Sequence, residues 1–396
     1  MHSKTVHFFL HFLYYYNSLM GMNPFVLDRA NGHRLRRNRL KFCWSFAVGC
    51  ATAVLVLFSF SHILTSVPFP DLMLVRHLVY VEFLIRYCTI TSCFYQIFHN
   101  QSNLLRCANR FMAIVRRLLY ASDSPAAATG TVAPIVVKVL CTDIFLCILF
   151  LIDNDAHVEH YLRDYRTLNI CVIVMGAQIS NLVLLLLLFG AHCYGAINEQ
   201  LESAITRLVS FEQRASFWGK RNALRQQICC EVSDTIDELY SVHREVTEIV
   251  RHLFKILQAP ILLTNLNQFV VVLSRVYFIY VSIAQDWSRN SSLHGMINPI
   301  LCITFEVSQF VLLSVVATII AKQSRQPGVI MNTFIDAPID TRTERSIELF
   351  NLALLSHDAR IQVADMYALD LVFMYSVATT ATSYLIVLIQ FQLNVY

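Results

Sequence analysis

The sequence contains few charged residues. Of its 396 residues, 15% are Asp, Glu, Lys or Arg, whereas 56% are hydrophobic. Soluble domains average about 25% charged residues and could not bury so much apolar surface. The formal net charge of +4 is also too small to indicate a nucleic-acid partner. The composition therefore predicts an integral membrane protein whose main partner is the lipid bilayer.

The sequence also lacks the motifs of common catalytic and cofactor sites. It has no glycine-rich phosphate-binding loop, no pair of histidines at zinc spacing and no Gly-flanked nucleophilic serine. We therefore expect no enzymatic activity, no metal and no cofactor. The 12 cysteines lie in apolar or predicted cytosolic segments, which favours reduced thiols over a disulfide framework.

Seven apolar segments predict an all-α fold with seven transmembrane helices, because about 20 mostly apolar residues cross a bilayer as a helix. The segments are 42–67, 72–98, 132–152, 168–192, 259–284, 297–321 and 371–391. The second segment is the least apolar, since it carries Arg76, Glu82 and Arg86. The aromatic-rich residues 1–21 are expected to form a short helix on the inner leaflet.

The positions of Lys and Arg predict the orientation. The connections 1–41, 99–131, 193–258 and 322–370 hold 24 of the 31 Lys and Arg residues. Because positive residues accumulate on the cytosolic side, the N-terminus is predicted inside and the C-terminus outside. Asn290, which begins an Asn-Ser-Ser sequence, is then a glycosylation acceptor in an outer loop.

This orientation divides the chain into seven parts. They are a cytosolic N-terminal tail (1–41), transmembrane helices 1–4 (42–192), a cytosolic helical extension (193–258), transmembrane helices 5–6 (259–321), a cytosolic anchor segment (322–370), transmembrane helix 7 (371–391) and an extracellular tail (392–396). The two long cytosolic parts carry apolar residues at helical spacing, for example Ile197, Leu201 and Ile205. We expect them to continue the spans as helices and to pack in an anchor bundle beneath the membrane, with a helix starting near Thr341.

Five polar side chains share one predicted depth in the membrane. They are Glu82, Asp143, Gln178, Arg275 and Glu306. Each lies about 9 or 10 residues from the outer end of its span, which is roughly 15 Å at 1.5 Å per residue. Charges at this depth are costly and require an explanation.

Two interpretations of these residues remain open. In one, they only stabilise helix packing, with Arg275 paired to Glu306 and Arg86 or Arg76 paired to Glu82. In the other, they form the polar floor of an outward-facing ligand pocket, because such pockets are mostly apolar and aromatic with a few fixed polar groups. The walls of that pocket would be Tyr277, Tyr280, Phe305 and Gln309. Lys138 is expected to snorkel toward the inner interface.

The last segment, 371–391, is uncharged but rich in polar side chains. These are Ser376, Thr379, Thr380, Thr382, Ser383, Tyr384 and Gln390. A polar helix face in a membrane turns toward other helices or toward water. The segment therefore either packs tightly against its neighbours or lines a water-filled path.

The end of this segment resembles a known family. Ser383-Tyr384, five apolar residues and Gln390-Phe391 resemble the C-terminal signature of insect gustatory receptors, in which Thr usually stands where this chain has Ser383. The segments 21–25 and 364–370 resemble other parts of these receptors.

The resemblance implies a tetrameric, ligand-gated, non-selective cation channel in the plasma membrane of sensory neuron dendrites. A small-molecule tastant would open it, and the tetramer would contain identical or related subunits. By the same resemblance, the seventh helix lines the pore, with an outer gate at Gln390 and Phe391 and with Tyr384 and Ser383 deeper along the helix. The alternative is a seven-span metabotropic receptor that signals through a cytosolic partner, against which the predicted internal N-terminus argues.

Overall fold

The computed structural model describes residues 12, 14–28, 34–66, 73–121, 138–144, 160–215, 222–286, 294–333, 340–356 and 360–395. These residues are almost entirely helical. We label the helices α1 (Arg39–Ser66), α2 (Met73–His99), α3 (Gln101–Ala121), α4 (His160–Ala215), α5 (Asn222–Asp286), α6 (His294–Asn332), α7 (Thr341–Ser356) and α8 (Leu371–Val395). A π-helical segment spans Lys138–Ile144. Asn290 lies outside the described residues.

Five helices of the described part are long and apolar enough to cross a membrane. The apolar stretches are Arg39–Phe58, Ile173–Ser210, Arg225–Val281, Pro299–Asn332 and Leu371–Phe391. They lie in α1, α4, α5, α6 and α8 and correspond to the predicted spans one, four, five, six and seven. Helix α2 has 27 residues but is not among these five. Only 138–144 of the third predicted span is described, so the count of seven stays a prediction.

The two longest helices run through both membrane and predicted cytosolic segments. Helix α4 has 56 residues and α5 has 65, so the fourth and fifth spans continue without a break, as predicted. The predicted apolar stripe is buried, since Ile197, Leu201 and Val246 are all fully enclosed by neighbouring helices. Burial of this stripe supplies the apolar contact that a charged helix needs to stay packed.

Helix α7 packs against the N-terminal part of α5 and the C-terminal part of α6. It begins at Thr341, as predicted. Phe350 is completely buried between the rings of Tyr240 and His243, with centroid distances of 5.5 Å to both. The hydroxyls of Ser233 and Ser346 lie 3.0 Å apart across the same contact.

The N-terminal segment packs one side against the helices, with Asn17 and Ser18 buried and Tyr15 and Leu19 exposed. A short helix over 14–19 leads to Gly21, whose φ of 73° brings it so close to α1 that an added Cβ would lie 2.9 Å from Val48. The Nε2 of Gln178 on α4 donates a hydrogen bond of 2.7 Å to the Tyr16 hydroxyl. Met22 is buried against α2. The expected helix of 1–21 on the inner leaflet stays a prediction, of which the structure describes the helical turn over 14–19.

Two short antiparallel hairpins connect the helices. Strand β1 (Phe25–Asp28) pairs with β2 (Arg34–Arg37), and β3 (Gln362–Val363) pairs with β4 (Tyr367–Ala368). The second hairpin leads into α8. Asp370 caps this helix, because its Oδ1 accepts a hydrogen bond of 2.8 Å from the backbone N–H of Phe373. The helix therefore begins where predicted and continues to Val395, beyond the predicted end at 391.

Candidate functional site

A buried ion-pair cluster joins α2 to α5. Glu82 lies 2.6 Å from Arg86 and 3.0 Å from Arg275, and only 1% of its side chain is exposed. The Ser274 hydroxyl donates to the same carboxylate at 3.4 Å. The expected Arg86–Glu82 pair is confirmed. The expected pairing of Arg275 with Glu306 was wrong, because α5 packs along α2 and brings Arg275 to Glu82.

A second buried cluster is formed on the π-helical segment. The Lys138 ammonium lies 3.2 Å from the Asp143 carboxylate and also donates to the Asn181 side chain. Asn181 Nδ2 donates in turn to Asp143 at 2.6 Å. The five-residue spacing of a π-helix places Lys138 and Asp143 on one face. Lys138 is therefore buried and paired, and the expectation that it snorkels was wrong.

Glu306 on α6 lies within electrostatic range of both clusters but joins neither. It forms no hydrogen bond or ion pair with any residue that the structure describes. Together with Arg86, Ser180 and Gln309 it lines a cavity of about 20 Å³. Such a volume holds about one water molecule. The Ser180 hydroxyl lacks a partner among the described residues, so the cavity is a polar space that needs an additional hydrogen-bonding group.

The other residues predicted for the ligand pocket lie in different places. Gln178 is occupied by Tyr16 of the N-terminal segment. Tyr277 and Tyr280 pack in an apolar cluster that includes two leucines of α8. Phe305 packs with α4 side chains. The structure thus brings Glu306 and Gln309 to one cavity, which Arg86 also lines. Glu82 and Arg275 are connected to this cavity only through the ion pair of Glu82 with Arg86. The nine residues predicted for the pocket do not surround a single space.

Helix α8 contacts its own chain on one side only. It packs against α5 and α6, but no side chain of Leu371–Phe391 is fully buried. Its exposed side carries all of the polar residues singled out in the sequence. These are Ser376, Thr379, Thr380, Thr382, Ser383, Tyr384 and Gln390, followed by Phe391.

Four of the hydroxyl groups on this exposed side are satisfied within α8 itself. Thr379, Thr380, Thr382 and Ser383 each donate to the backbone carbonyl four residues earlier, at 2.8–3.1 Å. Their outward lone pairs remain available to water or to another chain. The chain's own helices therefore do not cover the polar face of α8.

The sequence was also compared with profiles of known protein families. The profile of the 7tm chemosensory receptor family matches residues 10–395. The chain belongs to this family. The assignment places this receptor among membrane-embedded chemosensory proteins and outside the enzyme families.

Curated relatives of the receptor are insect gustatory receptors. The gustatory receptor for bitter taste 66a of Drosophila melanogaster is 26% identical over 166 residues, which cover 41% of this chain and 31% of the relative. Gustatory receptor 10a of the same species is 25% identical over 166 residues, covering 42% and 40%. The chain thus spans less than half the length of these relatives.

The fold of the receptor is similar to that of an insect olfactory receptor. The structure of OR5 from Machilis hrabei in complex with eugenol superposes with a TM-score of 0.61, covering 98% of both chains at 14% identity. A second structure of OR5 from Machilis hrabei gives a TM-score of 0.60 with the same coverage and identity. At this identity, the likeness shows a common fold.

One part of the receptor's site was missed by sequence reasoning. A groove of about 240 Å³ lies between α5, α6 and α8 and is lined by Glu306, Gln268, Phe269, Phe310 and Val377, among others. Gln268 lies seven residues before Arg275, two helical turns away on the same face of α5. A polar residue at that spacing in an apolar span is the signal that could have identified this wall.

Proposed function

We propose that this receptor is a subunit of a ligand-gated, non-selective cation channel that opens when a small-molecule tastant binds within the membrane. The observation that carries the proposal is the uncovered polar face of α8. On this face the Gln390 amide makes no hydrogen bond within the described part of the chain, and the hydroxyl oxygens keep free lone pairs. Water or other subunits beside the face would be more favourable than lipid, because lipid cannot hydrogen-bond to these groups. Several copies of α8 around one axis would satisfy this need and enclose an aqueous path.

The end of α8 supplies the elements of a gate. Ser383 and Gln390 are seven residues apart, as are Tyr384 and Phe391, so each pair shares a face at a spacing of roughly 10 Å along the axis. Phe391 and Tyr384 are 62% and 55% exposed in the single chain. A ring of Phe391 side chains would close the path by excluding water, and Gln390 would hydrate ions when it turns inward.

Exposed apolar residues in the predicted cytosolic part support assembly into a tetramer. Leu355, Val329 and Leu352 are 85%, 68% and 62% exposed, although they flank the contact between α6 and α7. Apolar patches of this kind mark surfaces that bind other proteins. We assign them to contacts between subunits, identical or related, in an anchor bundle beneath the plasma membrane.

The ligand pocket of the proposal is the polar layer at mid-membrane. Glu306 lines the groove of about 240 Å³ between α5, α6 and α8, which has room for a small molecule. Gln309 lines, with Glu306, the adjoining cavity that holds about one water. Glu82, Asp143, Gln178 and Arg275 belong to the same predicted layer but line neither space. Tyr277, Tyr280 and Phe305 form its apolar surroundings toward α8 and α4. The contact of Tyr277 and Tyr280 with α8 would transmit a change in the pocket to the pore helix.

The test is cation flux through purified protein in liposomes, after a ligand screen on cells that express the chain. Ligand-evoked flux without added proteins is expected from a channel. Ligand binding without flux would contradict the proposal. It would favour a seven-span receptor that signals through a cytosolic partner.

A further inference from the structure

Glu306 separates two spaces in the membrane-spanning bundle. It lines the small cavity toward α2 and α4, and it lines the groove between α5, α6 and α8. Among the described residues that line the groove, Glu306 is the one with an ionisable side chain. Its carboxylate has no hydrogen-bonding or ion-pair partner within the described part of the chain.

Two buried amides with unpaired polar atoms line the same groove as this carboxylate. Gln268 also lines both spaces, is 3% exposed, and neither end of its side-chain amide has a partner among the described residues. Asn265 uses its Nδ2 to donate to the Tyr367 hydroxyl at 2.7 Å, which leaves its buried Oδ1 without a partner in the described structure. Buried polar atoms are nearly always paired. The unpaired acceptors described here are the Glu306 carboxylate and two amide oxygens, whereas the unpaired donor beside them is Gln268 Nε2, so acceptors outnumber donor groups at the described lining of the groove.

We propose that the groove binds an organic ammonium ion with an apolar body, and that its positively charged head sits at Glu306. An ammonium group carries donors and no acceptor, which matches a carboxylate and two amide oxygens. The remaining walls fit the body of the ligand, because Phe269, Val272 and Phe310 are apolar. The aromatic rings add attraction for a cation. The inference rests on the proposed function and names the class of ligand.

The nearest basic groups do not fill this role. Arg86 faces the small cavity and is engaged with Glu82 at 2.6 Å, and Arg275 is engaged with the same carboxylate. Lys138 is paired with Asp143 at 3.2 Å and does not line the groove. Neither arginine lines the groove. A bound ammonium would therefore have Glu306 as its direct counter-ion, with the arginines held on the far side.

The opposite wall of the groove is α8. Met374, Val377 and Ala381 line it on the helix side that faces away from the polar stripe. The body of a ligand in the groove would contact these residues directly. Occupancy would then change the packing of α8 against α5 and α6, which is the helix that the proposed channel uses as its pore wall.

The experiment measures binding separately from conduction. Radiolabelled phenethylamine is bound to the purified full chain in nanodiscs, with 2-phenylethanol as the uncharged competitor of equal shape. We expect saturable binding that the alcohol displaces poorly. Glu306→Gln keeps the size of the side chain and should weaken binding roughly tenfold or more, since a hydrogen bond to a charged group contributes about 1.5–3 kcal/mol. Glu248→Gln removes an equal charge from an exposed pair with Arg244 and should leave binding unchanged.

A second variant and a second lipid composition complete the test. Ala381→Leu fills the groove and keeps Glu306, so it should also weaken binding even if Glu306→Gln fails to fold. Nanodiscs with and without phosphatidylethanolamine distinguish an added amine from a lipid amine, because a lipid occupant would suppress phenethylamine binding only where it is present. No saturable binding in either lipid, or equal binding by wild type and both groove variants, would overturn the inference. Binding that requires Glu306 without any cation flux would refute the channel and leave the ammonium site standing.

Discussion

The Glu82 cluster allows a prediction about which buried charge matters most for stability. Glu82 contacts both Arg86 and Arg275, so Glu82→Gln leaves two guanidinium groups without their carboxylate. Removing one partner of a buried pair costs about 3–5 kcal/mol. Arg275→Gln leaves the Arg86–Glu82 contact of 2.6 Å intact, and the Arg275 side chain is already 22% exposed. We therefore expect a smaller loss, about 1.5–3 kcal/mol for one hydrogen bond to a charged group.

The assay follows from the buried thiols. Cys93, Cys193 and Cys302 are buried free cysteines, so a fluorophore that reacts with thiols reports unfolding of purified protein on heating. Glu82→Gln should lower the unfolding temperature clearly more than Arg275→Gln does. As a control, Glu238→Gln removes an exposed pair with Arg117 and should change stability by less than about 1 kcal/mol. Equal losses for Glu82→Gln and Arg275→Gln would refute the view that one carboxylate holds both arginines.

Three further predictions concern the elements around the site. Gly21→Ala should destabilise the protein in the same thermal assay, because Gly21 has a φ of 73° and its added Cβ would collide with α1. Gly176→Ala is the control, since its added Cβ meets nothing within 4 Å and should be tolerated. Equal effects of the two substitutions would contradict the close packing of the N-terminal segment on α1. Asp370→Ala should cost about 1 kcal/mol through loss of the α8 cap and Asp370→Asn should cost less, and a neutral Asp370→Ala would exclude this cap. Ser383→Cys on the exposed side of α8 should react with a water-soluble thiol reagent in membranes much faster than Leu388→Cys on the packed side. Faster reaction of Leu388→Cys would rule out an aqueous path along the polar face.

The sequence predicted features that depend on one helix at a time. The apolar stripe through Ile197 and Leu201 indicated that α4 continues past the membrane, because periodic burial is a property of a single helix. The uncharged run from Leu371 likewise located α8. The depth of Arg275 could be counted from the end of its span. The ion-pair partner of Arg275 could not be predicted, because it depends on which helix packs beside α5.

Other features depend on contacts between distant segments or on unusual backbone geometry. Tyr16 reaches Gln178 across 162 positions of sequence, and no local pattern encodes such a contact. The pairing of Lys138 with Asp143 follows from a π-helical turn, whereas an ordinary α-helix would separate residues five apart by more than a quarter turn. The groove was missed for a related reason, since its walls come from three helices, and the polar residues Asn265 and Gln268 on α5 do not show by themselves which helices pack around them.

Gln390 differs from the four back-bonded hydroxyl residues of α8. The hydroxyls of Thr379 and its neighbours are satisfied by their own helix, whereas Gln390 makes no hydrogen bond within the described part of the chain. In a closed, dewetted path its amide therefore needs a neighbouring subunit, and in an open path it needs water. Gln390→Leu removes this need and should stabilise the dewetted state, so ligand-evoked flux should fall strongly while Thr379→Val changes it little. Equal flux in both variants, at equal amounts of assembled protein, would show that the amide does not face the conducting path.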